Sequence, residues 1–137
     1  MKIIELKKVP KNKIGKLNKN GVKLEPHENK TAKLLILYGF SIEAVRPTNT
    51  PNANNPDIFM TGTIWEMKAP HKYNEQTLKN RMKKAAKQAG RAVFDLRNLT
   101  KDKTKTKRTV IKLFVGNSDM RRMIIIEDDE RVLDFLK

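Results

Sequence analysis

Asp57, Glu66 and Lys68 lie in the segment PDIFMTGTIWEMK, which sets two carboxylates and an amine within a span of 12 positions. If Thr61-Gly62 is a two-residue hairpin loop, Met60 pairs with Thr63, and counting outward sets Asp57 opposite Glu66. Facing β-carbons in an antiparallel pair stand roughly 4.5–5.5 Å apart, and like charges there destabilise the sheet. The pair therefore calls for a counter-charge. A divalent cation supplies one, because hard cations favour carboxylate oxygens. An all-oxygen site suits Mg²⁺ or Mn²⁺, with Zn²⁺ a further candidate. Strand alternation places Lys68 on the face of Glu66, while Trp65 and Met67 point the other way, into a core. Such a constellation suits phosphodiester hydrolysis. A metal would polarise the phosphoryl oxygen and acidify a water, and the lysine would orient that water, help deprotonate it, or offset developing charge. The competing interpretation is a half-exposed hairpin with a surface salt bridge. Asp facing Glu, rather than Asp facing Lys, counts against it, whereas a three-residue loop would break the facing pair.

Other residues are drawn to this pair with less geometric constraint. Glu28 either complements the positive end of a helix or projects toward the Asp57–Glu66 face as a further metal ligand; spacing leaves both open. Arg81, Lys84 and Gln88 follow i, i+3, i+7 spacing and form one polar stripe. That stripe is either a solvated helix face or the place where a phosphate backbone lies. Lys87 on the same helix, and Lys103 and Lys105 further on, extend the set of candidate nucleic-acid contacts. His71 is read as a surface loop histidine, with general base or phosphate contact as the alternative. No partner can be assigned to His27.

These residues need elements to hold them. Met1 to Lys23 is lysine-rich, with a strand expected at Lys2 to Leu6 and turn signals at Pro10, Gly15 and Asn20-Gly21, so residues 1–23 read as a basic arm or loose hairpin before a domain over 24–137. In LEPHENKTAKLLILYG, Pro26 suits the first turn of a helix and Gly39 its C-terminal cap. Phe40 to Arg46 alternates as a strand, and PTNTPNANNP is a loop by composition. Asp57 to Met60 and Thr63 to Ala69 read as two strands. Asn74 caps a helix running to Gly90, with Tyr73 and Leu78 as a hydrophobic staple and Met82, Ala85, Ala86 and Ala89 on its apolar face. Arg91 to Arg97 is a further strand. The stretch KDKTKTKR, Lys101 to Arg108, reads as a low-complexity basic loop; Val110 to Val115 ends a helix, and MIIIE with RVLDFL closes in a hairpin. The order of elements predicts an α/β (α+β) domain, a central mixed sheet flanked by helices.

Composition narrows the partners. Thirty Lys plus Arg stand against fifteen Asp plus Glu, a net charge of +15, which attracts polyphosphate through counterion release. Hydrophobic residues make up 38% and charged residues 33% of the chain, a folded centre with basic appendages. The absence of cysteine excludes a disulfide scaffold, a thiolate metal site and a cysteine nucleophile. The longest apolar runs are too short to span a bilayer, and the basic helix lacks the large apolar anchors of a membrane-surface element. Nucleic acid is the expected partner, and a membrane is not.

Pro56-Asp57 followed by Glu66-x-Lys68 resembles the PD-(D/E)XK nuclease motif, whose core is a helix, a strand meander, a crossing helix and a further strand. More widely, EPHENKTAKLLILYGFSIE, NNPDIFMTGTIWEMKAP and KKAAKQAGRAVFDL resemble the C-terminal toxin domain of contact-dependent growth-inhibition (CdiA-type) proteins. Related domains occur in mobile-element and phage proteins of Gram-positive bacteria. The resemblance runs from about Val22 to the C-terminus. It implies a restriction-endonuclease-like core and a metal-dependent ribonuclease with transfer RNA as substrate. Glu28, Asp57, Glu66 and Lys68 would form the active-site set, with Gln88 and Lys84 in the place of a helix-borne auxiliary residue. It further implies action in a bacterial cytoplasm, with delivery from another cell as one route. A toxin would also need a small acidic immunity protein over the basic cleft, since complementary charge speeds association. Cleavage of DNA by the same site, and a non-catalytic nucleic-acid-binding module, are the alternatives.

Overall fold

The structure, a computed structural model, describes residues 1–45 and 57–137. Its strands are β1 (Lys2–Leu6), β2 (Leu17–Asn18), β3 (Ile42–Ala44), β4 (Ile58–Met60), β5 (Thr63–Lys68), β6 (Arg91–Asp95), β7 (Arg122–Asp128) and β8 (Arg131–Leu136). Its long helices are α1 (Pro26–Leu37), α2 (Glu75–Gln88) and α3 (Lys103–Val115). The strands form one eight-stranded sheet in the order β1-β8-β7-β6-β5-β4-β3-β2. β6 runs parallel to both β5 and β7, and β2 runs parallel to β3. The remaining pairs are antiparallel. The mixed sheet flanked by helices that the sequence predicts is the fold observed.

Alternation along the central strands sorts the core into two layers. Met123 and Ile125 of β7, with Ala92 and Phe94 of β6, join Leu78, Met82, Val110 and Phe114 of α2 and α3. Ile124, Ile126 and Val93 point to the opposite side, where they meet Leu34, Leu35 and Tyr38 of α1 together with Trp65 and Met67 of β5. A strand covered on both faces reads as a continuous apolar run, which is why MIIIE carries no polar break. The consequence for β5 is direct. Since Trp65 and Met67 face α1, Glu66 and Lys68 face α2.

Local signals account for most boundaries. Pro26 opens α1, and Gly39 (φ +93°) closes it. The Gly39 and Phe40 amides bond back to the Ile36 and Leu35 carbonyls, the two bonds of a Schellman cap. Asn74 caps α2 by accepting from the Thr77 amide at 3.0 Å. At the other end Gly90 (φ +71°) turns the chain directly into β6; a β-carbon there would lie 2.4 Å from the Asp119 carbonyl oxygen.

Two expectations need correction. Lys101 to Arg108 is not a basic loop: from Lys103 it is the first half of α3. Thr106 and Val110 are buried beside Phe114 on the inner face, so packing imposes helix on a stretch with weak helical signals. Nor do the first residues form a hairpin. β1 is the strand expected at Lys2 to Leu6, but it pairs with β8 at one edge of the sheet, while β2 lies at the other edge. The expected loop at 47–56, with Arg46 before it and Pro56 of the motif, lies outside the described residues.

Candidate active site

The hairpin that sets the register has the expected two-residue loop. Met60 pairs with Thr63, Phe59 with Ile64 and Ile58 with Trp65. Thr61 and Gly62 both take positive φ, 54° and 81°, as a twist-matched hairpin turn requires. Thr61 has no glycine-like freedom there, and it is held from inside. The indole Nε1 of Trp65 donates to the Met60 carbonyl at 2.9 Å and to Thr61 Oγ1 at 3.1 Å. Asp57 sits one step beyond the ladder, its carbonyl accepting from the Val45 amide at 3.0 Å. One fully buried aromatic residue thus anchors the turn that aligns Asp57 with Glu66.

Above that pair lies α2, packed on β5 and β6. Its polar stripe is turned inward onto the carboxylates. Arg81 Nη1 donates to Glu66 Oε1 at 3.2 Å. Gln88 Nε2 donates to Asp57 Oδ2 at 2.9 Å. Lys84 stands between them, its Nζ 3.2 Å from Glu66 Oε2 and 3.8 Å from Asp57 Oδ1. The spacing i, i+3, i+7 predicts one face; the structure shows what that face meets.

Burial decides the electrostatics. Glu66 is only 1% exposed. Desolvation, followed by the neighbouring Asp57 carboxylate, pushes its pKa up to about 7, with Lys84 opposing the rise. Lys68 is half-buried; its pKa is lowered first by burial and then by the positive charge of Arg81. An amine moved toward neutrality, beside a carboxylate moved toward protonation, is a pattern characteristic of functional sites.

The suitability of the pair for a divalent cation can be tested on its oxygens. Asp57 Oδ1 and Glu66 Oε2 are buried and accept no hydrogen bond; Lys84 faces them as an ion pair. Two buried, unsatisfied carboxylate oxygens side by side form a hard donor set of the kind Mg²⁺ and Mn²⁺ take. The residues fit such a cation. Among the described residues no group of three or more His, Cys, Asp or Glu gathers, so a cation held by this pair would complete its sphere with water or substrate oxygens.

Glu28 is not brought to the pair. It belongs to α1, on the Trp65 side of the sheet, and its Oε1 accepts from the Glu25 amide at 2.8 Å. Its pKa is raised by burial, and its charged neighbours are His27 and Glu25. Here the reading as a helix-terminal acid describes the geometry. Lys87 is exposed on α2. On α3, Lys103 Nζ donates to the Glu127 carbonyl at 3.1 Å, and Lys105 Nζ lies 4.4 Å over the Tyr73 ring. His71 and His27 are exposed. A groove of about 850 Å³ opens between α2 and α3, lined by Lys79, Lys83, Arg108 and Lys112 among others. It uses another face of α2 and holds none of the carboxylate-pair residues.

One polar cluster escapes sequence reasoning. Arg97 forks onto Asp95 at 2.7–3.2 Å and reaches Asp129 Oδ1 at 2.8 Å, while Thr31 Oγ1 donates to Asp95 Oδ2 at 2.6 Å. The signal available is Asp95 itself, a charge at an inward position of an apolar strand. It ties α1 to β6 and to the β7–β8 turn.

Residues 54–132 match the contact-dependent growth inhibition CdiA C-terminal domain family. Among solved structures, the CdiA-CT/CdiI toxin and immunity complex from Burkholderia pseudomallei contains a chain of the same fold. The likeness has a TM-score of 0.62 at 15% identity and covers 90% of this chain and 100% of that one. No curated protein matches the sequence.

Proposed function

The chain belongs to the contact-dependent growth inhibition CdiA C-terminal domain family, and from that membership and the geometry around Asp57 we propose a metal-dependent ribonuclease toxin domain of the PD-(D/E)XK type, hydrolysing a phosphodiester bond in transfer RNA. The observation that carries this reading is the pair of buried carboxylate oxygens, Asp57 Oδ1 and Glu66 Oε2, that accept no hydrogen bond. Asp57 and Glu66 would hold the divalent cation, which supplies Lewis-acid polarisation of the phosphate and a more acidic water. The chain's own residues do the rest. Lys68, desolvated and beside Arg81, has an amine suited to orient the attacking water and to take up its proton. Arg81 and Lys84 supply positive charge where the phosphate gains negative charge. Gln88 steadies the outer oxygen of Asp57. The family name and the toxin and immunity complex of similar fold support a protective partner and delivery between cells; the net charge of +15 suits an acidic partner, and a tRNA substrate would put the action in the target cell's cytoplasm. Among the described residues no helix is long and apolar enough to cross a membrane.

The test is incubation of the purified protein with total tRNA, and separately with plasmid DNA, in Mg²⁺, Mn²⁺ or EDTA. Expected is tRNA cleavage that needs metal and falls at least about 10³-fold in Asp57→Ala and in Lys68→Ala. Plasmid nicking with intact tRNA would make DNA the substrate. Binding without cleavage in either metal, unchanged by Asp57→Ala, would overturn the enzyme reading.

A further inference from the structure

The two oxygens best suited to a cation already face one. Lys84 Nζ lies 3.2 Å from Glu66 Oε2 and 3.8 Å from Asp57 Oδ1, and these are the oxygens that lack hydrogen bonds. The outer oxygens are occupied differently. Arg81 holds Glu66 Oε1 and Gln88 holds Asp57 Oδ2, both as hydrogen bonds. Their side chains therefore fix the two carboxylates from behind, as supporting donors do around metal ligands. Lys84 faces the other two oxygens, one on each carboxylate.

We propose that Lys84 is a placeholder for the divalent cation: its ammonium neutralises the Asp57–Glu66 pair until a metal displaces it, and the freed ammonium then binds a phosphate of the nucleic acid. The inference rests on the metal reading of the site and adds how that site is loaded. Divalent cations sit roughly 2.0–2.6 Å from carboxylate oxygens. A cation held by Asp57 and Glu66 would therefore compete with the Lys84 ammonium for their unbonded oxygens, and two positive centres repel at such range. Of the two cations paired with these carboxylates, Lys84 is the one better able to leave. Its side chain is 40% exposed against 23% for Arg81, and its ammonium is a strongly hydrated point charge on a flexible stem. Its contacts with the pair are the two ion pairs themselves, which an incoming cation would replace. With Lys84 gone, Arg81 alone would be ion-paired against two carboxylates, one of them buried, and that imbalance would be costly, which gives the placeholder a structural purpose in the unloaded protein. Metal loading and substrate binding are then coupled through one side chain, and such coupling is reciprocal.

Direct Mn²⁺ binding, followed by electron paramagnetic resonance or calorimetry at low ionic strength, tests this without reading activity. The proteins are the wild type, Asp57→Ala, Lys84→Met and Lys84→Gln. Lys83→Met, which removes one charge from a neighbouring exposed position, is the control. Melting curves check that each is folded. The expected result is Mn²⁺ affinity about tenfold higher in both Lys84 variants, unchanged in Lys83→Met and lost in Asp57→Ala. Equal or weaker binding in the Lys84 variants, with wild-type binding intact and dependent on Asp57, overturns the placeholder and leaves the metal site standing. An equal gain in Lys83→Met overturns it too, since the effect would then be net charge. Absence of Mn²⁺ binding in the wild type and in both Lys84 variants overturns the metal reading, and this inference with it.

Discussion

At Glu66 a proton and the Lys84 ammonium compete for one buried carboxylate, and under the proposed function a divalent cation would join them. Desolvation and the Asp57 charge lift its pKa to about 7, against a usual value near 4.3. A carboxyl raised on folding binds its proton more tightly in the native state, so its stabilising contribution is complete below the unfolded pKa. That contribution is lost as pH rises through about 7. In EDTA the protein should therefore lose stability between pH 5 and 8, on the order of 3 kcal/mol from this group. Glu66→Gln, which cannot ionise, should be the more stable protein at pH 8, and the gap should close toward pH 5. Thermal melts across that range check the sign; a gap that widens toward acid contradicts it. This chemistry is partly legible in the sequence. A hairpin count places Asp57 opposite Glu66 and turns Trp65 inward. Arg81, Lys84 and Gln88 are recognisable as one stripe, but helical spacing does not say which sheet face the helix covers. Their contact with the carboxylates therefore appears only once α2 is seen over β5. For Glu28 the obstacle is the same: spacing puts an acid in the first turn of α1 and is silent on which side of the sheet α1 lies.

Among the elements, the β4–β5 turn has the most leverage over the site. A one-residue slip in a hairpin moves every side chain to the other face, which would send Glu66 and Lys68 into the α1 core. Thr61 at φ 54° is a β-branched residue in a conformation that asparagine tolerates far better. Thr61→Asn should stabilise the protein by roughly 0.5–1 kcal/mol, the relief of backbone strain exceeding the weak 3.1 Å bond lost from Trp65. Equilibrium denaturation measures this, and a destabilised Thr61→Asn would mean that the indole–hydroxyl bond is what holds the register. Elements with local signals are readable from sequence: Pro26 and Gly39 bracket α1, and Asn74 and Gly90 bracket α2. α3 is not. Its first turn holds no acid, its Asp102 N-cap makes no side-chain cap bond, and it begins with alternating Lys and Thr. Cations at a positive helix end and β-branched residues both oppose helix; burial of Thr106, Val110 and Phe114 overrides them. β1 illustrates a different limit, since its pairing with β8 joins residues more than 100 positions apart and leaves no trace in local pattern.

Across the whole molecule, the excess of positive charge is distributed unevenly. α2 and α3 together carry ten Lys or Arg and a single acid, Glu75, whereas Glu127, Asp128, Asp129 and Glu130 gather at the β7–β8 turn. There Glu127, Asp129 and Glu130 are engaged by Lys8, Arg97, Lys107 and Arg131. The helices that cover the Glu66 side of the sheet are thus strongly basic, and under the proposed function an extended phosphate backbone would be drawn to them. Phosphate contacts release counterions, so affinity should fall steeply with salt. With EDTA present to prevent cleavage, tRNA binding should weaken by about 10³-fold between 50 and 200 mM salt. Lys83→Gln with Arg108→Gln, both exposed on the rim of the α2–α3 groove, should reduce the slope of log affinity against log salt by about 2. Lys2→Gln with Lys7→Gln, at the β1 edge, should leave it unchanged. Equal reductions from both pairs would show the charge to be a diffuse coat and not a footprint. The same asymmetry predicts where an acidic protective protein docks. Its association rate should drop with salt and with the Lys83/Arg108 pair of changes, and be indifferent to the β1 pair.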